Sequence, residues 1–381
     1  MSDIYLIYIS DIYHDNPAFL LFTMCYSDVV VGIYPHNNRE EVLKWCADYG
    51  IDHSSVLKLS DLQDRKEALP SVVTVSQLFT EVLDIFGKPP RRFYETLQMA
   101  AKEPSERSEL EFLLSKDGKE RMKELHKETV TFADLLKMFP SSHLPLDYLL
   151  DHIPRIKPRL YSIASSHEMH KDAVHLCIVK DDWITPTGKH RHGLCTRYLA
   201  GLSQGSTPDL VSGKMNAAGI TIPDTHSLPS VMVGLGTGIA PFRAMVEDRE
   251  MARLRGETIG PMALFFGARH KRTDFTYGDE FEEYHSGGKG VISHLSCAFS
   301  RDQKHKIYVQ DRIGEVPEVI YDYLGKKNGY FYLCGPAGNV PPAVRKAVVG
   351  AFVKCGGHSE EEADKIVTQM QIEGRYNVEA W

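Results

Sequence analysis

The chain has 381 residues, 43% hydrophobic and 25% charged, with a formal net charge of −7; such a length is expected to hold about two or three domains and a core that needs no covalent staples. A net acidic chain without a basic block is not built for nucleic acid. Seven cysteines stand at 25, 46, 177, 195, 297, 334 and 355 with no Cys-x-x-Cys pair, which argues against a zinc or dithiol site and for a reducing compartment, by default the cytoplasm.

The first residues carry no basic n-region, so no secretory leader is expected. Apolar runs such as 19–25 and 29–34 are far too short to span a bilayer. Residues 1–35 hold short apolar-aromatic runs with irregular turn signals, and DVVVGIYP at 28–35 reads as one buried strand ended by proline. Residues 39–153 read as helices at 40–49, 76–86, 92–101, 105–114, 132–139 and 146–152, with 118–128 a solvated helix face. Leu78, Phe79, Val82, Leu83 and Phe86 form the clearest apolar stripe, with Ser76 as its expected N-cap. The pattern then changes to strands at 159–165 and 173–180. Residues 201–228, rich in Gly, Ser, Thr and Pro, mark the approach to a domain boundary. From residue 230 onward strands and helices alternate. Strands are expected at 231–234, 262–268, 291–299, 330–334 and 376–380, and helices at 241–255, 311–324, 343–355 and 360–371, the signature of a parallel sheet covered on both faces.

Five segments carry candidate chemistry. Gly234-Leu-Gly-Thr-Gly-Ile-Ala-Pro241 joins an apolar strand to a helix, where glycines let the backbone approach a phosphate and the helix start attracts an anion. It departs from G-x-G-x-x-G because Ile239 holds the last glycine position, and a tight strand–helix turn is the competing reading. In Arg159-Leu-Tyr-Ser162, Arg159 and Tyr161 share a strand face and suit a diphosphate clamp beside a stacked ring; for the tetrapeptide alone an ordinary half-exposed strand is the simpler reading. Gly193-Leu-Cys-Thr196 before an apolar helix start is either a phosphate cradle or a plain N-cap by Thr196. The run from Ser300 to Tyr308 packs cations, a hydroxyl and an aromatic ring, as for a dianionic phosphate beside an adenine, or it is a solvated loop. Lastly, the chain ends on Trp381 after a strand-like run, where a terminal aromatic plugging the core is the alternative.

In order and spacing these segments resemble the diflavin reductases, in their ferredoxin–NADP reductase-like half. RLYSIASS, GLCT, VGLGTGIAPFRA, FFGARH, AFSRDQKHKIYVQ, YLCGPA and a closing aromatic occur in family order from about Asp28 to Trp381. TPTGKHRHGLCTRYLA and YNVEAW resemble the pyruvate:NADP oxidoreductase and sulfite reductase branches. The resemblance implies an antiparallel FAD-binding β-barrel with a helical connecting insertion, followed by a parallel-sheet α/β NADP-binding domain. The implied spans are 1–38 and 154–228 for the barrel, 39–153 for the insertion and 229–381 for the coenzyme domain.

By the same resemblance, Arg159 clamps the FAD diphosphate, Tyr161 stacks on the flavin and Ser162 bonds near flavin N5. Cys177 and Ile178 meet the flavin and ribityl chain through their backbone, and Gly193, Leu194, Cys195 and Thr196 hold the FAD diphosphate. Gly236, Thr237 and Gly238 hold the NADPH diphosphate, with Arg269 on the adenine side. Ser300, Arg301, Lys306 and Tyr308 read the 2′-phosphate, with Gln310 close by. Cys334 and Glu379 are the polar pair at the nicotinamide, and Trp381 shields the flavin. Three departures accompany it. No segment resembles the family's FMN-binding flavodoxin domain, so that partner, or another redox partner, is expected in trans. Ser27 stands where the family has glycine, and residues 1–25 do not resemble its opening barrel strands. The function implied is hydride transfer from NADPH to FAD, then single-electron delivery. An NADP-binding assembly module without FAD and a single-flavin quinone reductase are the alternatives.

Overall fold

The computed structural model describes residues 4–10, 29–58, 72–202, 213–217, 220–286 and 290–381. Expectations for 11–28, Cys25 and Ser27 among them, and for 203–212 and 218–219 of the expected boundary stretch, fall outside the described residues.

The strands before the boundary are β1 (Ile4–Ser10), β2 (Val29–Ile33), β3 (Val56–Lys58), β4 (Val72–Thr74), β5 (Arg159–Ser162), β6 (Ala173–Val179), β7 (Asp182–Ile184), β8 (His190–His192) and β9 (Gly213–Ala217). β2 lies between β5 and β9 in an antiparallel sheet, while β1 pairs antiparallel with β6 from Ile4 opposite Val179 to Ser10 opposite Ala173. A bridge between Ile163 and Leu176 links β5 to β6. Val31, Ile33, Ile163, Val174, Leu176, Ile178 and Leu199 pack together as the core of this region. Among the described residues the strands form only small antiparallel sheets, and they do not close into the expected barrel. Ile4–Ser10 is one of the short apolar runs from which strands are expected; such a run without alternation gives no register by itself, and β6 supplies it.

Between β2 and β5 the chain is mainly helical. Asn38 caps the helix Arg39–Tyr49 by accepting from Glu41 N, and Gly50, at φ +79°, ends it. Helices Arg91–Ala100, Pro104–Leu114, Lys119–Lys127, Phe132–Met138 and Leu146–His152 follow close to expectation. Trp45, Phe79, Phe93, Tyr94 and Phe132 fill their common core. The expected 76–86 helix is different. Thr74, not Ser76, caps it, in a reciprocal box with Gln77; one turn continues as a π-turn over Leu78–Val82. Leu83 then bridges Arg155, and Asp84 N donates to Pro154 O, so a long-range pairing ends the helix before its apolar stripe does.

Five parallel strands form the last sheet: β10 (Ser230–Leu235), β11 (Met262–Ala268), β12 (Ile292–Phe299), β13 (Tyr330–Gly335) and β14 (Tyr376–Ala380), in the order β12-β11-β10-β13-β14. Alternate residues face opposite ways and both ways are apolar. Val231, Val233, Phe265, Phe331 and Leu333 pack on the side of Ile313, Val348, Phe352 and Val367. Met232, Leu264, Phe266 and Tyr332 pack on the side of Phe242, Val246 and Phe281. Strand order reverses between β10 and β13, so a crevice opens beyond their carboxyl ends. The expected 311–324 helix is broken into Val309–Glu315, Pro317–Tyr321 and a π-turn, because Pro317 removes an amide and drives Val316 to φ −130°. Among the described residues no helix is long and apolar enough to cross a membrane.

Candidate functional site

The crevice between β10 and β13 is floored by the turn Gly236–Ile239, which leads into the helix Ala240–Leu254. Gly236 has φ +56°, a conformation costly for any side chain. At Gly238 a Cβ would collide with Cys334 O, so that backbone lies directly against β13. Thr237 sits between them. Pro241, in the first helical turn, leaves no amide unsatisfied. Glycine is therefore required at both positions, once for conformation and once for space, and the cradle fits a diphosphate.

The neighbouring strand ends supply the cations. Ser300 N donates to Ala268 O at 3.0 Å and Arg301 N to Arg269 O at 2.9 Å, which puts Arg269, Ser300 and Arg301 side by side beyond β11 and β12. Asp302 pins this loop by accepting from Lys271 N (2.8 Å) and pairing with His270 Nδ1 (2.9 Å). Arg269, Arg301 and Lys306 are exposed, Tyr308 is exposed at the start of the Val309–Glu315 helix, and Gln310 lies in its first turn. The residues expected at a 2′-phosphate thus share one loop, at the same end of the sheet as the Gly236–Ile239 turn.

Cys334 on β13 and Glu379 on β14 are register partners, and the Cys334 thiol donates to Glu379 Oε2 at 3.7 Å. Burial first, then the Glu379 carboxylate, holds that thiol well above its ordinary pKa. Two residues on, Trp381 N donates to Gly335 O (3.2 Å) and Trp381 O accepts from Ala337 N (2.9 Å), yet its side chain is 60% exposed. The terminal indole is not a core plug. Its backbone is also pinned at both ends, so any displacement of the ring is a side-chain rotation rather than a peeling of the terminus.

On β5, Arg159 is exposed and its Nη1 donates to Lys157 O at 2.8 Å. Tyr161 is half-buried against the core of the antiparallel region. Burial raises its hydroxyl pKa, and its partner, the Cys195 thiol, raises it further. Ser162, half-buried, closes the strand. On β6 the Ile178 side chain enters that same core, while Cys177 points the opposite way, toward Ala164 and Ala240. Burial pushes the Cys177 thiol up to about 12. Both side chains are interior, and the β6 backbone is paired with β1 from Ala173 to Val179.

Gly193 precedes the helix Leu194–Ala200, and its amide donates to Asp181 O at 2.7 Å. The N-cap is Gly193, so the reading of Thr196 as N-cap is corrected. Thr196 lies inside the helix, where its Oγ1 accepts from Asp181 N (3.2 Å) and donates to Gly193 O (3.3 Å). Cys195 is buried. Leu194 lines a cleft of about 1690 Å³ with Trp183, Arg191 and Tyr198, walled mainly by the helical unit through residues such as Trp45, His126 and His143; Arg159, Tyr161, Ser162, Cys177 and Ile178 do not line it.

Sequence reasoning passed over two features. Trp183 on β7 was hidden in a short hairpin with no strand periodicity. Arg243 and Glu247 look like an exposed i, i+4 pair on an amphipathic helix, yet both are buried, at 7% and 0% exposure. The spacing was visible, but the surface that covers them was not.

Comparison with known proteins gives two family matches: an FAD binding domain over residues 28–198 and an oxidoreductase NAD-binding domain over residues 232–341. The mitochondrial NADP-dependent pyruvate dehydrogenase of Euglena gracilis is 38% identical over 352 residues, covering 92% of this chain and 19% of that protein. The flavoprotein component of NADPH sulfite reductase from Saccharomyces cerevisiae is 38% identical over 344 residues, 90% of this chain and 32% of the relative. The NADPH-dependent diflavin oxidoreductase 1 of Dictyostelium discoideum is 35% identical over 284 residues, 73% and 44% respectively. The chain therefore spans less than half the length of each of these relatives. With an FAD-binding and an NAD(P)-binding module in this order, it belongs to the diflavin reductase family, as the part that carries those two modules.

Proposed function

We propose that the chain is the NADPH-oxidising half of a two-flavin electron-transfer system, handing electrons to an FMN-containing flavodoxin-like domain or another redox partner in trans. The observation that supports this reading is that the glycine turn at Gly236 and Gly238, the cationic loop with Arg301 after β12, and the Cys334–Glu379 pair beside Trp381 all lie at the carboxyl ends of one parallel sheet. When bound, FAD supplies the conversion of a two-electron hydride donation into single-electron release.

Each residue has a part in this scheme. Gly236, Thr237 and Gly238 bind the coenzyme diphosphate at the start of the helix, and Arg269 lies beside the adenine. Ser300, Arg301, Lys306 and Tyr308 hold the 2′-phosphate by charge-assisted bonds that NADH leaves unmade, with Gln310 at the rim. Glu379 and Cys334 would orient the nicotinamide, and the indole of Trp381 would shield the flavin. Arg159 turns outward from Lys157 to clamp the FAD diphosphate together with Gly193, Leu194, Cys195 and Thr196. Tyr161 would pack on the flavin, Ser162 would hydrogen-bond it, and the Cys177 and Ile178 backbone would border it. Trp183 offers a flat apolar face in the same cleft as Leu194, suited to an adenine. In this reading the antiparallel sheets of 1–38 and 154–228 are parts of one flavin-binding barrel, 39–153 is a connecting unit, and 229–381 binds coenzyme.

The test is anaerobic mixing of the FAD-reconstituted chain with NADPH or NADH while flavin absorbance is followed. Rapid bleaching by NADPH and slow bleaching by NADH is the expected result. A protein that binds NADP+ but cannot be loaded with FAD would instead be an assembly module.

A further inference from the structure

We propose that Arg243 and Glu247 form a positioning clamp that fixes the coenzyme-binding module against the flavin-binding strands, an inference that rests on the function proposed above. Arg243 lies five residues past Gly238, on the helix that the coenzyme turn begins. Its Nη1 donates to Ala164 O at 2.5 Å and to His175 Nδ1 at 3.2 Å; both acceptors belong to the β5–β6 region. Its Nη2 meets Glu247 Oε1 at 2.7 Å and its Nε meets Glu280 Oε2 at 2.9 Å. Glu247 independently reaches the connection between those strands: Oε2 accepts from Ser166 N at 2.8 Å, and Oε1 meets His170 Nε2 at 3.0 Å.

The placement is what gives these bonds meaning. Ala164 and Ser166 close the run RLYSIASS, whose other end carries Arg159, Tyr161 and Ser162. One short segment therefore holds the flavin-binding residues at one end and the joint at the other. One helix likewise holds the coenzyme turn at its start and the joint in its next turns. A buried ion pair seldom adds stability over an apolar one, but its directional bonds are satisfied in one register only. Hydride transfer needs donor and acceptor at about 3–3.5 Å, so small slippage at this joint matters.

Tyr277 reinforces the seam. It has φ +59°, an outlying conformation for a bulky residue that only tertiary packing can hold. Arg243 Cζ sits 4.8 Å from its ring centroid, and the ring packs against the cluster of Ala164, Cys177 and Ala240, which spans both modules.

The test compares FAD-loaded wild type with Arg243→Lys and Glu247→Gln. Adenosine 2′,5′-bisphosphate, which occupies only the coenzyme module, reports that module's integrity, and flavin content reports the other. NADP+, which cannot react with oxidised flavin, reports on the joint by perturbing the flavin absorption spectrum when nicotinamide reaches it. Both variants should keep flavin content and bisphosphate affinity within about twofold of wild type. The NADP+-induced spectral change should weaken, and flavin reduction at saturating NADPH should slow about tenfold or more, with little change in the NADPH concentration giving half the maximal rate. Wild-type spectra and rates in both variants would overturn the clamp. So would losses that merely follow flavin content or bisphosphate affinity. If Arg243→Lys does not fold, the near-isosteric Glu247→Gln decides alone. Wild-type protein that takes up neither FAD nor the bisphosphate would sink the functional reading, and the clamp with it.

Discussion

Cys334 and Glu379 face each other across β13 and β14, with thiol and carboxylate 3.7 Å apart at the mouth of the crevice that holds the coenzyme turn. Burial and the neighbouring carboxylate both favour the protonated thiol, and Cys334 donates to Glu379, so it is expected to resist alkylation. Two outcomes are expected. Iodoacetamide at pH 8 should leave Cys334 unmodified in folded protein and label it only in denaturant, as read by peptide mass spectrometry. Glu379→Gln should lower the rate of flavin reduction by NADPH roughly ten- to a hundredfold, the cost of losing a hydrogen bond to a charged group at about 1.5–3 kcal/mol. Labelling of native Cys334 would contradict the first, and an unchanged rate the second.

Coenzyme choice should depend on Arg301. It extends from the loop tied to Arg269 by the backbone bond, and it is exposed toward solvent. Losing one charge-assisted contact costs about 1.5–3 kcal/mol, or roughly one to two decades in affinity. Arg301→Ala should raise KM for NADPH by that factor and leave KM for NADH nearly unchanged. Equal losses with both coenzymes would remove the 2′-phosphate from this loop.

Trp381 offers a sharper test, because its backbone and side chain are independent. The bonds to Gly335 and Ala337 use only main-chain atoms, and the indole is mostly exposed. Trp381→Ala should therefore change stability by no more than about 0.5 kcal/mol, as for other surface substitutions. It should raise turnover with NADH more than with NADPH, since NADH lacks the second anchor that helps displace the ring. Release of oxidised coenzyme should slow. An unchanged NADH-to-NADPH ratio would refute the shield.

The seam also predicts a response to acid. His175 is pushed down to about 4, first by burial and then by the charges of His170 and Arg243. Glu247 and Glu280 are the carboxylates bound to that arginine. A histidine whose folded value lies below its unfolded value of about 6.5 contributes stability that is fully present above that pH and is lost as pH falls toward 4. At about 1.4 kcal/mol per pH unit, the whole span is on the order of 3 kcal/mol. Urea unfolding of wild type and His175→Gln between pH 7 and pH 4 should show the variant losing less stability by up to that amount. Parallel curves would mean that His175 is not held neutral in the folded protein.

Much of this protein was determined by its sequence alone. The parallel sheet is legible because β10, β11 and β13 are apolar on both faces and are punctuated by glycine turns, a pattern set by period and local sterics. The strand–helix turn after β10 is legible for the same reason: Gly236 requires a conformation that other residues resist. Local capping likewise announces the helix after Thr131.

What needed the tertiary structure is everything that depends on a surface supplied from far along the chain. The stripe at 76–86 has helical periodicity, yet Leu83 leaves the helix because Arg155 offers a bridge. Ile4–Ser10 has no alternation from which to read a register, and β6 provides one. Trp381 was equally consistent with a core plug and a cover, and only its exposure separates the two. Arg243, Glu247, Asp248, Arg249 and Glu250 follow one another closely on a helix whose composition places them in water. The first four are buried because strands and loops elsewhere bring backbone acceptors, amides and histidines to meet them, while Glu250 is paired by Arg253 of the same helix. Sequence periodicity states which faces a segment can bury; burial of charge depends on partners, and partners are a property of the fold.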